Sequence, residues 1–126
     1  MRLPPATLVP NALRLQALLV AGWWLLLWLA PAARAPFVVA DWPTATLLAF
    51  ALPDVVVLVF GSWVAAHGLA GGRPWARPLL WGVAGAALYA TLWCLGANLV
   101  TGAGWLSTAL MVPCAVAMAW AVAVVR

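Results

Sequence analysis

Asp54 is the residue of this chain best placed to do chemistry. It is one of two acidic residues among 126, and it follows Pro53 inside an apolar run at 46–66. A carboxyl at bilayer depth costs roughly 2.5–3.5 kcal/mol on insertion scales, so it persists where it has a partner, a proton or a purpose. No arginine, lysine or histidine falls at its level. The carboxyl is therefore expected to keep its proton, face the interior of a helix bundle and be hydrogen-bonded near Thr91 or Tyr89, a state suited to proton coupling. At a rise of 1.5 Å per residue, Thr91 on the next apolar run reaches about the same depth. So do Trp24 and the Pro113, Cys114 step, with Tyr89 about half a turn away. Asp54, Tyr89 and Thr91 form the candidate polar site.

A second placement of Asp54 stays open. Proline is favoured at the first helical position and aspartate in the first turn. A helix could therefore start at Pro53, with Asp54 as a cap near the membrane surface and 44–52 as a separate interfacial piece. The span left over, from 55 to about 70, is short for a bilayer.

Other reactive groups are sparse. His67 is the only histidine, and it sits at a helix end, where an imidazole commonly lies over the last carbonyls. Cys94 and Cys114 lie in apolar runs without a CxxC spacing and suit helix packing as small hydrophobes. One histidine, two aspartates and two separated cysteines do not make a metal cluster. There is no Ser/His/Asp set, no pair of carboxylates at one depth, no glycine-rich phosphate loop and no HExxH. The expectation is no catalytic residue, no metal and no cofactor. Enzymatic activity is left open as the less favoured outcome.

The elements that carry these residues follow from composition. The chain is 68% hydrophobic and 6% charged, with mean hydropathy +1.11, whereas soluble domains carry about 25% charged residues. Only lipid can serve as solvent for this surface. Four apolar runs, at about 11–30, 45–67, 79–97 and 105–125, predict one all-α integral membrane domain over 1–126, a four-helix bundle running up-down-up-down. The stretch Ala33, Arg34, Ala35 resembles a signal-peptidase site, but Pro36 follows it and three tryptophans precede it, so 11–30 is read as a span that is kept. Proline- and glycine-rich connectors separate the runs.

Small residues four apart, Gly61 with Ala65 and Gly82 with Ala86, predict close packing of the second helix on the third. Arg2, Arg14, Arg73, Arg77 and Arg126 fall on one side of the membrane in this topology, and Arg34, beside Asp41, on the other. The positive-inside rule then puts both termini in the cytoplasm. The absence of lysine and the abundance of Ala, Gly, Pro, Arg and Trp suggest a GC-rich bacterial genome and hence an inner-membrane location. Many of the ten tryptophans fit interfacial belts.

The function this supports is a small binding or accessory subunit without catalytic chemistry of its own, working as a homo-oligomer or within a larger membrane complex. The alternative is a small proton-coupled transporter or channel using Asp54. Expected partners are the lipid bilayer and other membrane subunits or further copies of the chain, with no nucleic acid.

Overall fold

The computed structural model describes residues 5–39 and 41–125. Four helices long and apolar enough to cross a membrane build it: α1 (Pro5–Leu29), α2 (Thr44–Ala70), α3 (Ala76–Thr101) and α4 (Trp105–Val124). They form an antiparallel bundle in which α1 packs on α2, α2 on α3 and α3 on α4, with a lighter contact between α4 and α1. The protein is a small multi-pass membrane protein. Arg2 and Arg126, counted in the topology expectation, lie outside the described residues.

The bundle is tightly packed at the end that holds the α2–α3 loop. Leu13, Leu58, Leu80, Val83, Ala65 and Met118 are buried there. The other end is built from aromatics and from the connector between α1 and α2. Residues Pro31–Phe37 coil into a 3-10 helix and bury Phe37 with Trp24, Leu27 and Ala51. Arg34 fixes this fold-back: its Nε donates to Leu27 O at 2.7 Å and its guanidinium reaches Trp28 O at 3.4 Å. Those carbonyls end α1 and have no intrahelical donor of their own. Arg34 thus caps a helix in addition to marking a side of the membrane.

The outward surface consists of Leu15, Leu19, Leu29, Leu52, Phe60, Leu99 and similar side chains, as a lipid-facing surface requires.

Four helix ends differ from the sequence expectation: α1 starts at Pro5 instead of near 11, α3 at Ala76 instead of near 79, and two C-terminal ends run on. The second helix continues past His67 to Ala70, and the third past Ala97 to Thr101. Asn98, expected to open a turn, is instead fully buried. It donates to Ala103 O at 2.6 Å and accepts from the Thr108 hydroxyl. Burial with both polar ends satisfied lets an asparagine lie within an apolar helix. The left-handed Gly102 (φ 71°) then ends α3, its N–H bonding Asn98 O at 2.8 Å.

Helix packing also differs in register. Gly61 does meet α3, because a Cβ there would come 2.9 Å from Val83 Cγ2, and Ala65 is fully buried. Gly82 faces open space, and Ala86 is half-buried. The side of α3 that meets the bundle is carried by Val83 and Ala87, one position along from the expected pair. Spacing identifies a small-residue stripe but not the direction in which it points.

Candidate functional site

Asp54 lies inside α2, ten residues from Thr44 and so about 15 Å along the axis. Its backbone is helical (φ −64°, ψ −45°), and its N–H bonds Phe50 O at 3.1 Å. The carboxylate caps no helix. The local cause of its position is Pro53, which has no N–H to give the carbonyl of the preceding turn. The segment that follows, Asp54–Gly61, runs as π-helix. Such wide turns inside α-helices often occur at functional sites.

The carboxylate Oδ2 accepts a hydrogen bond from Trp24 Nε1 of α1 at 3.1 Å. Trp24 is 3% exposed, so this bond joins α1 to α2 in the interior. Among the described residues Asp54 has no ion-pair partner and no other side-chain hydrogen bond.

The other two candidate residues are not brought to Asp54. Thr91 is buried, and its hydroxyl lies 2.7 Å from Ala87 O and 3.2 Å from Met111 O. One proton is thus shared between a carbonyl of its own helix and one of α4. That is the usual work of a threonine inside a membrane helix, here tying α3 to α4. Tyr89 is 71% exposed and projects from the bundle. Of the groups expected at the level of Asp54, the indole of Trp24 is the one that bonds it.

Asp54 forms part of the wall of a cleft of about 60 Å³ at the connector end of the bundle. Six aromatic rings, Trp23, Trp24, Phe37, Trp42, Phe50 and Trp93, contribute to that wall. Trp23 stacks obliquely on Trp24, with ring centres 4.6 Å apart, and meets Phe37 edge-on at 5.3 Å. Across the cleft, Trp93 of α3 contacts Phe50 at 4.4 Å and Trp42 at 5.7 Å. Cys94 and Ser107 complete the α3–α4 side; both cysteines are free.

One polar atom is left over. Trp23 Nε1 is buried with no acceptor, and it is the only such side-chain atom among the described residues. An indole N–H withheld from water in this way costs free energy unless something in the cavity accepts from it.

The tryptophans divide in a way their positions in sequence did not reveal. Trp28, Trp81 and Trp105 are exposed, as a belt requires, but Trp23, Trp24 and Trp93 turn inward and build the cleft. The adjacent pair Trp23, Trp24 beside a helix carrying the lone embedded carboxyl was the available signal. Comparison with known proteins gives no match among family models, curated proteins or solved structures.

Proposed function

We propose that this is a membrane-embedded binding protein that takes a small ligand into the aromatic cleft, with Asp54 as its principal polar contact. It would act as a binding or accessory subunit, alone as an oligomer or beside a larger membrane partner. The observation that carries this reading is the cleft itself: a largely apolar cavity lined by four tryptophans, two phenylalanines and one carboxylate. Ligand pockets have this make-up, apolar walls with a few placed polar groups.

Binding is favoured over passage through the bundle. Beyond Asp54, Leu58 is 2% exposed and belongs to one buried cluster with Val83, Ala87 and Met111, where the Thr91 hydroxyl is already taken up by the carbonyls of Ala87 and Met111. The next polar contact along, Gln16 Nε2 to Ser62 Oγ at 3.4 Å, lies two turns further on. A proton or ion route through Asp54 would need that cluster to part.

Native mass spectrometry of the protein released from mild detergent tests the reading. The expected result is an additional small-molecule mass that disappears in Ser107→Phe, whose ring fills the cleft. An unchanged adduct in that variant would move the binding elsewhere.

We further place the protein in a bacterial inner membrane with both termini cytoplasmic, on the arginine asymmetry. The cleft would then open toward the periplasmic face. With both native cysteines removed, a cysteine at position 102 should be labelled by a membrane-impermeant maleimide in intact spheroplasts, and one at position 72 only after lysis. The reverse pattern would invert the molecule.

A further inference from the structure

The chemistry of the cleft walls specifies a class of ligand. Resting on the binding role proposed above, we infer that the cleft receives a small organic cation of the quaternary-ammonium type, held among Trp93, Trp24 and Phe50, with Asp54 as counter-charge, its carboxyl ionised when the cation is bound.

Three independent features lead to this. The first is the aromatic enclosure. Aromatic faces carry negative partial charge and attract ammonium groups within about 6 Å of the ring centre, most strongly for tryptophan and in sites withdrawn from water. Here rings from α1, α2, α3 and the connector line the cleft, so a cation seated in it would lie among aromatic groups of four segments. The second is Asp54. Its Oδ2 is held by Trp24, which aims the carboxylate and leaves the other oxygen without a hydrogen-bonding partner among the described residues. A cation with N–H groups could use that oxygen directly, and a quaternary one would use its charge. Among the described residues no arginine or histidine competes for it: Arg14, Arg34, Arg73 and Arg77 lie toward the helix ends and the connectors. The third is Trp23. Its unpartnered Nε1 belongs to a ring that lines the same cleft, and it calls for an acceptor. An oxygen on the ligand that reached this N–H would supply the acceptor it lacks.

An anion is disfavoured by the carboxylate. A neutral hydrocarbon would use the walls but leave both polar groups unanswered. The cleft lies at the interfacial end of the bundle, beside the exposed Trp42. The ammonium could therefore arrive free in solution or as the headgroup of a lipid, and the two sources share the chemistry.

Choline and its uncharged isostere 3,3-dimethyl-1-butanol separate charge from shape. Equilibrium dialysis of radiolabelled choline against the purified protein in a maltoside detergent should show saturable binding, with the alcohol competing at least about tenfold more weakly. Asp54→Asn keeps the shape and should weaken choline at least about tenfold while leaving the alcohol unchanged. Trp93→Leu removes one wall by a different route and should also weaken choline, with unchanged elution on size exclusion as the check that the fold persists.

For the lipid source, native mass spectrometry from nanodiscs of mixed phosphatidylcholine and phosphatidylglycerol should show phosphatidylcholine retained in the wild type and lost in Asp54→Asn. Binding of either source supports the cation site and identifies its origin. Equal affinity for choline and the alcohol, or choline binding unaffected by Asp54→Asn, overturns the cation assignment while leaving a ligand cleft. Absence of both choline and phosphatidylcholine overturns it as well. A small-molecule adduct abolished by Ser107→Phe would in that case still support the binding role.

Discussion

Gly104→Ala is expected to lower stability by about 2–4 kcal/mol, measured as the thermal midpoint in mild detergent. Two costs add. Gly104 sits at φ 77°, left-handed backbone that an L side chain adopts at about 1–2 kcal/mol. An added Cβ would also lie 2.9 Å from Asn98 Nδ2 and 3.1 Å from Val39 Cγ2. Asn98 is fully buried and holds the α3–α4 turn through Ala103 and Thr108, so displacing it exposes a buried polar network to loss. Gly102→Ala provides the comparison, because Gly102 has a similar φ of 71° with nothing near its missing Cβ. It should show the backbone cost alone. Equal shifts in the two variants would mean that contact with Asn98 and Val39 contributes nothing.

Gly61→Leu should be more damaging still, by about 3 kcal/mol or more, because the branched side chain must enter space already held by Val83. Gly82→Leu, four residues from Ala86 in the same sort of small-residue pair, should stay within about 0.5 kcal/mol, since its Cβ would meet open space. Thermal unfolding of both variants, with size exclusion to follow the assembly, distinguishes them. Similar losses at the two positions would place α3 in a different rotation about its axis, or put another subunit on the face of Gly82.

The four spans follow from hydropathy, because lipid demands long apolar runs whatever the helices do next. Depth was legible too: counting along the helices put Trp24 at the level of Asp54. Rotation was not. Tyr89 and Thr91 lie only two residues apart, yet one projects outward and the other is buried. In a soluble helix the polar face marks the outside. In lipid the outward and inward faces are both apolar, so the pattern of residue types does not tell them apart.

The prolines of the connector mark a break between spans but not its 3-10 helix, and the capping of α1 by Arg34 leaves no local pattern to find. The widening of α2 was equally hidden. Pro53 signals a disturbance of the ladder but not whether the helix will break, kink or expand. The cleft arises where these unreadable features coincide: an inward tryptophan pair, a folded-back connector and an expanded helix.

The expanded segment Asp54–Gly61 also governs how this site can be gained or lost. A π-turn amounts to one surplus residue spliced into an α-helix. Removing a single residue from it would let the regular ladder close, and each residue of an α-helix turns about 100° around the axis. The half of α2 that packs through Ser62 and Ala65 would keep its seat. Asp54 would swing away from Trp24 and toward lipid, where a carboxyl is costly. The site is thus written in chain length as much as in residue identity: every side chain of the cleft could be retained while one deleted codon dismantles it.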